Sequence, residues 1–214
     1  MSQLILASAS PRRKELLLQM GLDFEICPAK GEEVITAMRP CEVVCELSRQ
    51  KAEEVASGIL CYNRTHTEIV TPQDILVIGA DTVVAWEDQI LGKPKDEADA
   101  KRMLAMLSGG RHSVYTGVTL VVMEPSGRTG EHSFFEKTDV EMYEMTPEEI
   151  DHYVSTGEPM DKAGAYGIQG KCAIYIRGIE GDYNNVVGLP IARLYQECKR
   201  IGIDLYERKE RKYV

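Results

Sequence analysis

The sequence of 214 residues predicts an α/β fold. One observation is that strand-like and helix-like patterns alternate along the chain, as they do in proteins built on a sheet covered by helices. Another is the apolar run at residues 75–84, which is typical of a buried strand. The length, with hydrophobic residues at 43% and charged residues at 28%, suffices for one large globular domain or for two lobes around a cleft.

The first strand and helix bring two serines and two arginines together. Residues 4–7 are predicted as a short buried strand, followed by a helix with Ser10 as its N-cap, Pro11 as its first residue and Gly21 at its end. A helix N-terminus offers free N–H groups and a positive dipole end to anions, and arginine adds a bidentate fork for phosphate. This junction therefore predicts either a phosphate cradle or an ordinary cap followed by solvated arginines. The residues concerned are Ser8, Arg12 and Arg13.

The next segments contain two further charged candidates. Residues 22–27 are predicted as a second strand, and the loop after them carries Glu33. A helix is predicted over residues 40–58, with an apolar stripe along one side and Lys51 within it. A lysine on a helix is normally solvated, so Lys51 has a role only if this helix lines a cleft. Residues 61–73 are predicted as a polar connection.

Asp81 follows the central apolar run after two small residues. Burying a carboxylate there costs free energy unless it lies at the mouth of a cleft, binds a metal or is hydrogen-bonded. Open α/β sheets place their chemistry at the carboxyl ends of strands. We therefore expect Asp81 at the end of the strand, either as a catalytic or metal-binding acid or as an aspartate that caps a turn.

A fold-back is predicted after Asp81. The chain continues extended to Trp86, turns at residues 87–89 and returns through Leu91. This return can bring Lys93 beside Asp81. A lysine in that place stabilises a carboxylate charge and can also neutralise a phosphate.

The middle of the chain predicts a helix, two strands and another helix. Asp96 caps the first of these helices, which ends at residues 108–110. The strand patterns at residues 112–123 and 130–145 are rich in β-branched and aromatic residues. Thr146 begins a short helix, because proline and glutamate follow it at the N1 and N3 positions of a capping box.

Residues 158–170 form a second segment dense in functional side chains. Three glycines within seven residues permit tight turns and close approach of a ligand, although a flexible loop has the same composition. Gln169 offers both a donor and an acceptor, which suits recognition of a base edge. The remaining predicted elements are strands at residues 172–176 and 184–187, a helix at residues 190–201 and a charged tail at residues 205–214.

Charge and cysteine pattern exclude several classes of protein. A net charge of −9 repels a polyanion, so nucleic acid is not an expected partner, whereas a local basic pocket can still hold a small polyphosphate. The six cysteines form no C-x-x-C pair, and we expect Cys41 and Cys45 to be small core residues rather than a zinc clip. Reduced thiols indicate a cytoplasmic protein. We expect no signal peptide and no membrane span, because no apolar run reaches about 18 residues.

Five motifs occur in one order along the chain. They are Ser8-Ala9-Ser10-Pro11-Arg12-Arg13, Gly79-Ala80-Asp81-Thr82-Val83-Val84, Gly92-Lys93-Pro94, Leu107-Ser108-Gly109 and Ala163-Gly164-Ala165-Tyr166-Gly167-Ile168-Gln169-Gly170. Together they resemble the Maf family of nucleoside triphosphate pyrophosphatases, also called septum formation proteins, over about residues 3–203. Each motif alone is weak, whereas five in register are specific.

The resemblance implies a fold and an activity. The fold is a single domain over residues 1–214 with two lobes, in which a long, mixed, curved sheet flanked by helices surrounds a central cleft, similar to inosine triphosphate pyrophosphatases. The activity is hydrolysis of a nucleoside triphosphate between the α- and β-phosphates, with a divalent cation, Mg2+ or Mn2+. The motifs around Asp81 and Gln169 are similar to the branch that acts on dTTP and UTP. A homodimer is compatible with this resemblance.

The resemblance also implies roles for individual residues. The phosphate-binding loop would contain Ser8, Arg12 and Arg13. The charged centre would contain Glu33, Lys51, Asp81 and Lys93, with Asp81 as the general base. The positions associated with substrate choice are Arg12, Thr82 and Gln169. Because Mg2+ often takes only one or two protein carboxylates, Glu33 and Asp81 are the candidate ligands, and the role of Asp81 as base, ligand or both stays open.

Two other functions compete with hydrolysis of dTTP and UTP. One is a pyrophosphatase for modified pyrimidine nucleotides, which the same site would serve. The other is a regulator of cell division that binds nucleotides without turnover. The charged centre favours catalysis, because a pure binding module needs no base at Asp81.

Overall fold

The computed structural model describes residues 3–65, 74–87, 89–124 and 129–206. In this part of the chain, seven strands form one mixed sheet in the order β2-β1-β3-β5-β6-β7, with β4 paired to β3 alone. The strands are β1 (Gln3–Leu6), β2 (Glu25–Ile26), β3 (Ile75–Trp86), β4 (Gln89–Leu91), β5 (Arg111–Met123), β6 (Thr129–Met142) and β7 (Ile176–Glu180). The helices are α1 (Pro11–Gln19), α2 (Pro40–Thr65), α3 (Glu97–Leu107), α4 (Pro147–Ser155), α5 (Tyr183–Val187) and α6 (Ile191–Arg200). The α/β class with a mixed sheet is confirmed.

Helices cover both faces of the sheet. On one face, α1 and α6 pack on a cluster that includes Leu17, Ile78 and Leu194. Farther along the same face, α3 and α4 pack on a second cluster that includes Val84 and Leu104. The opposite face is covered by α2. Because β3 is buried on both faces, its first half is a continuous apolar run rather than an alternating one.

A gap in one edge of β3 makes room for the cleft. Strand β5 pairs with β3 along almost its whole length, from Ile75 to Ala85. On the other edge, β1 pairs in parallel only as far as Ile78, and β4 begins its antiparallel pairing at Val84. Between them, residues 79–83 have no neighbouring strand on that edge within the described chain. The prediction that Asp81 ends the strand is therefore wrong: Asp81 lies within β3, at the level where pairing with β1 has ended.

Two glycines allow α2 to lie directly on the sheet. A Cβ atom at Gly79 would lie 2.2 Å from the carbonyl oxygen of Ser48, and one at Gly117 would lie 2.3 Å from the carbonyl group of Val44. No side chain fits at either place, so backbone packs on backbone. One turn beyond Ser48, this contact holds Lys51 over the open edge of β3.

The local signals at several helix ends are confirmed. Asp96 accepts a hydrogen bond from the N–H of Asp99 at 2.8 Å, and Thr146 forms the complete capping box with Glu149. Ser10 occupies the N-cap position of α1, but its side chain makes no capping hydrogen bond. The hairpin of β3 and β4 forms as predicted.

Other element predictions are wrong. Helix α2 continues through Gly58 to Thr65, because its apolar stripe continues with Ile59 and Leu60, which pack on the sheet. Residues 61–65 of the predicted connection are therefore helical, and residues 66–73 lie outside the described chain, as do Asp88, the link at 125–127 and the tail beyond Tyr206. The second strand, predicted over residues 22–27, is only the two-residue strand β2 (Glu25–Ile26).

The two strands predicted near the end of the chain are also wrong. Residues 171–175 form a 3-10 helix, and strand β7 begins only at Ile176. The segment predicted as a strand at 184–187 is helical. There Asp182 accepts the N–H of Asn184 at 2.8 Å, and this N-cap outweighs the β-branched composition.

In the described ranges, no helix combines the length and the apolar character needed to cross a membrane.

We expect Gly79→Ala to lower the free energy of unfolding by about 2 kcal/mol, because the added methyl group must displace α2 from β3. Gly58→Ala is the control on the same helix: nothing lies within 4 Å of its Cβ position, and alanine favours the helix, so stability should rise by about 0.5 kcal/mol. Urea unfolding measures both. Unchanged stability of Gly79→Ala would contradict the close contact.

Candidate active site

The open edge of β3 forms the floor of a cleft with a volume of about 870 Å³. Its walls come from the β1–α1 junction, the loop before α2, helix α2 itself, the chain after β4, and the segments at residues 161–170 and 186–188. A volume of this size suits a small-molecule ligand. Every predicted site residue lies in its wall. These residues are Ser8, Arg12, Arg13, Glu33, Lys51, Asp81, Thr82, Lys93 and Gln169.

Lys51 joins the two candidate acids. Its Nζ atom lies 2.9 Å from Oε1 of Glu33 and also contacts Oδ1 of Asp81. The Lys51 and Asp81 side chains are only 18% and 14% exposed, whereas Glu33 is half exposed. One ammonium group thus holds two carboxylates close together, with Asp81 on the inner side and Glu33 toward solvent.

Lys93 lies in the wall of the cleft. Among the described residues, Asp81 forms its ion pair with Lys51 and not with Lys93, which the predicted fold-back could bring beside it. Pairing of β4 with β3 ends at Leu91, and the carbonyl of Gly92 then accepts the N–H of Gly164 at 3.0 Å. The side chain of Lys93, which follows, is exposed.

Arg13 is the most deeply engaged cation of the cleft. Its Nε donates to the carbonyl of Gly188 at 2.8 Å, and its two terminal nitrogens donate to Ser8 Oγ and Thr82 Oγ1, each at 3.1 Å. Burial lowers the pKa of the Arg13 guanidinium, and the charge of Asp81 opposes that decrease. All three acceptors are uncharged groups, so these hydrogen bonds fix the guanidinium without neutralising it.

Sequence analysis missed Asp161 and Lys162 as parts of the site. Asp161 pairs with Arg12 at 3.2 Å and with Lys162 at 2.7 Å, and both residues line the cleft. Burial acts to raise the pKa of Asp161, but the hydrogen bonds from Lys162 and Arg12 outweigh it, so the pKa is lowered. The signal was present, because both charges lie inside the glycine-rich segment, but nothing in the sequence indicated which residue they would meet.

The glycine-rich segment is held in place rather than free. The carboxylate of Glu158 accepts the N–H of Lys171 and the hydroxyl of Tyr153, at 3.1 and 3.0 Å. A Cβ atom at Gly170 would lie 2.0 Å from Oε1 of Glu158, so a side chain there would have to shift this carboxylate from its hydrogen bonds. The neighbouring Gln169 is exposed at the mouth of the cleft.

The cleft is more positive than the rest of the protein. Among the described residues, five cationic and three anionic side chains line it, although the whole chain carries a net charge of −9. The cations are Arg12, Arg13, Lys51, Lys93 and Lys162, and the anions are Glu33, Asp81 and Asp161. This local excess supports binding of a small anion in an otherwise acidic protein.

A divalent cation would have two protein carboxylates here. Within the described chain, no group of three or more His, Cys, Asp or Glu side chains is arranged to hold a metal ion. Glu33 and Asp81 nevertheless meet at the single nitrogen of Lys51. This donor set fits Mg2+ or Mn2+ bound through one or two carboxylates together with substrate oxygens.

A buried aromatic pair supports the wall of the cleft behind the glycine-rich segment. Tyr166 lines the cleft, and its hydroxyl lies 2.7 Å from Nε2 of His112. Burial lowers the pKa of His112 to about 4, with the charge of Asp139 opposing this shift. His112 is thus a neutral, structural residue.

The fold and the cleft define an α/β protein with an anion-binding site. The chain belongs to the family of Maf-like proteins, whose model matches residues 3–201, and the resemblance of its motifs is thereby confirmed. It is 73% identical over 205 residues to a dTTP/UTP pyrophosphatase of Agathobacter rectalis, covering 96% of this chain and 100% of the relative.

Two further relatives carry the same name. A dTTP/UTP pyrophosphatase of Lachnoclostridium phytofermentans is 49% identical over 205 residues, and one of Bacillus thuringiensis subsp. konkukian is 48% identical over 206 residues. Each match covers 96% of this chain and 98% of the relative.

Among solved structures, a nucleoside-triphosphatase (dITP/XTP pyrophosphatase) of Mycobacterium abscessus superposes with a TM-score of 0.33 at 16% identity, over 65% of this chain and 74% of that one.

We expect acid to destabilise the protein through His112. The unfolded chain takes up this proton near pH 6.5 and the folded protein only near pH 4, so the unfolded state binds more protons between these values and stability falls as the pH decreases. The loss at pH 4 amounts to about 3 kcal/mol. Urea unfolding of wild type and His112→Gln at pH 7 and pH 4 isolates the contribution of His112. Between these two pH values, the variant should lose about 3 kcal/mol less unfolding free energy than the wild type. Parallel losses in both proteins would refute the assignment.

Proposed function

We propose that this protein hydrolyses nucleoside triphosphates, dTTP and UTP above all, to the nucleoside monophosphate and pyrophosphate. The observation that carries the proposal is that one cleft contains a fixed guanidinium, that of Arg13, hydrogen-bonded to Thr82, and a partly buried carboxylate, that of the neighbouring Asp81. The names of the relatives, dTTP/UTP pyrophosphatases, supply the substrate class.

The cations of the cleft would bind the triphosphate. A nucleoside triphosphate carries about four negative charges, which need positive groups and N–H donors to hold them in a low-dielectric cleft. Arg12, Arg13 and Ser8 lie together at the N-terminus of α1, where the helix dipole adds to their effect. Lys93 and Lys162 extend the positive wall.

Asp81 would act as the base for the attacking water. In the proposed step, the water oxygen forms a bond to the α-phosphorus, the bond to the bridging oxygen breaks, and pyrophosphate leaves. The water proton passes to a carboxylate oxygen of Asp81, which Lys51 orients through its ion pair. Arg12 and Arg13 would stabilise the charge that develops on the phosphate oxygens.

We propose that Glu33 and Asp81 hold a divalent cation together with the substrate. When bound, Mg2+ or Mn2+ would supply charge neutralisation and lower the pKa of a nearby water. Lys51, which contacts both acids, would keep them adjacent before substrate arrives.

The proposal also covers organisation and compartment. We propose that the chain functions as one domain with two lobes, in the cytoplasm, with no nucleic acid or membrane as partner. The net charge of −9 supports the exclusion of nucleic acid as a partner. A homodimer is proposed from family resemblance alone, and light scattering coupled to size-exclusion chromatography tests it.

Two rival functions remain testable with the same assays. Modified pyrimidine triphosphates would be the preferred substrates of a house-cleaning pyrophosphatase. A regulator of septum formation would bind nucleotides and release no pyrophosphate from any of them.

We expect Asp81→Asn to reduce pyrophosphate release from dTTP and UTP at least about 100-fold, because the amide cannot accept the proton. The assay uses a panel of canonical and modified triphosphates, with Mg2+ or with a chelator. Asp151→Asn is the matched control, since Asp151 pairs with Lys101 at 2.8 Å outside the cleft. Near-normal turnover by Asp81→Asn would remove this residue from the mechanism.

We expect Gln169→Ala to reduce discrimination rather than turnover. If its amide recognises a base edge, the preference for dTTP and UTP over the other nucleotides should fall about tenfold in kcat/KM, while the rate on the best substrate changes less. Gln196→Ala, an exposed glutamine on α6, is the control. The same order and spacing of substrates in Gln169→Ala would count against base recognition.

A further inference from the structure

The hydrogen bonds around Arg13 extend into the protein beyond the cleft. Thr82 Oγ1, which accepts from Arg13, lies 2.9 Å from Thr116 Oγ1 on the neighbouring strand β5. Thr116 is fully buried, and its hydroxyl donates to the backbone carbonyl of Asn185 at 2.9 Å. Thr116 has no place among the residues that line the cleft.

The donor and the acceptor can be identified for each hydrogen bond in the series from Arg13 through Thr82 and Thr116 to Asn185. Because a carbonyl oxygen only accepts, Thr116 donates its single hydroxyl hydrogen to the carbonyl of Asn185. The bond between the two threonines must then be donated by Thr82. Because a guanidinium only donates, Arg13 is necessarily the donor to Thr82. The hydroxyl of Thr82 is thus presented to Arg13 as an acceptor, with its hydrogen pointing away from the guanidinium.

The far end of the chain of hydrogen bonds is anchored. The Asn185 side chain is buried and donates to the carbonyl of Val114 at 3.1 Å and to Thr138 Oγ1 at 3.0 Å. Three residues later, Gly188 accepts directly from Arg13 Nε at 2.8 Å. Helix α5 and the glycine that follows it therefore hold the guanidinium by two routes: directly through the carbonyl of Gly188, and from Asn185 through Thr116 and Thr82.

We propose that Thr116 is a positioning residue for Arg13, which it fixes by orienting the hydroxyl of Thr82. Among the described residues, Gly188, Ser8 and Thr82 accept three of the five N–H groups of Arg13, which leaves two for an anion in the cleft. Thr82 then influences the substrate through Arg13. Its hydroxyl does not donate to the substrate, because it already donates its hydrogen to Thr116. The functional part of this inference rests on the proposed triphosphate hydrolysis, whereas the positioning of Arg13 does not.

The test follows the Nε–H of Arg13 by 15N–1H NMR, with the signal assigned by its absence in Arg13→Lys. In the wild type, we expect this hydrogen to exchange slowly with solvent. Thr116→Val keeps the shape of the side chain but removes the hydroxyl, so exchange should become about tenfold faster and KM for dTTP should rise about tenfold, with a smaller change in kcat. Thr116→Ser restores the hydroxyl and should return both quantities toward wild type.

Thr119→Val is the matched control. Thr119 lies on the same strand, is equally buried, and contacts the hydroxyls of Ser48 and Ser133, each at 2.9 Å. Its loss should destabilise the fold to a similar degree without changing the exchange of Arg13 Nε–H or KM. A general loosening of the sheet would instead affect both valine variants equally and would overturn the proposal.

Thr82→Val interrupts the same chain one residue nearer to Arg13. It should reproduce the effects of Thr116→Val, and the double variant should be no worse than either single variant, because all three break one connection. This variant also keeps the proposal testable if Thr116→Val does not fold. Additive effects, or a change of nucleotide preference in Thr82→Val alone, would show direct contact of Thr82 with substrate and refute positioning through Arg13.

The two proposals fail in different ways. If the wild type releases no pyrophosphate while Thr116→Val still accelerates exchange at Arg13, the proposed function is wrong and the positioning stands. If the wild type is active and Thr116→Val leaves exchange and KM unchanged, the positioning is wrong and the function stands.

Discussion

The contact of helix α2 with the sheet is the constraint on which the site depends. A side chain at Gly79 or Gly117 would collide with the backbone of α2, so only glycine permits the approach. This approach brings Lys51 within reach of Asp81 on β3 and lets one ammonium group gather both acids. A helix held farther out by side chains would leave Asp81 as an unpaired carboxylate at the sheet edge, which is costly.

The interrupted edge of β3 explains why residues from distant parts of the chain meet. Because β1 pairs only as far as Ile78 and β4 only from Val84, residues 79–83 form an edge to which side chains on both faces of the sheet contribute. Asp81 contacts α2 on one face, and Thr82 contacts Arg13 on the other. Because the side chains of Asp81 and Thr82 point to opposite faces of β3, the acid and the guanidinium of Arg13 lie on opposite sides of this strand, although both line one cleft.

Much of this arrangement could be predicted from the sequence, and the failures arise where packing or a competing local signal decides the structure. The caps of α3 and α4 and the hairpin after Trp86 depend on neighbouring residues, and they were predicted correctly. The length of α2 depends on packing against the sheet, and at residues 183–187 the cap by Asp182 competes with a β-branched composition that favours a strand, so both were predicted wrongly. The resemblance to a family brought the nine site residues together, whereas spacing alone left each with an ordinary structural alternative.

The ion pairs of the cleft determine which cation is available to a substrate. Lys51 is matched by Glu33 and Asp81, and Asp161 is shared by Arg12 and Lys162. An incoming phosphate therefore competes with Asp161 for the charge of Arg12. Arg13 needs no such exchange, because its hydrogen bonds go to uncharged oxygens and its position is fixed from behind. It is accordingly the preorganised part of the site, and the electrostatic benefit of preorganisation is that no group has to move when charge develops.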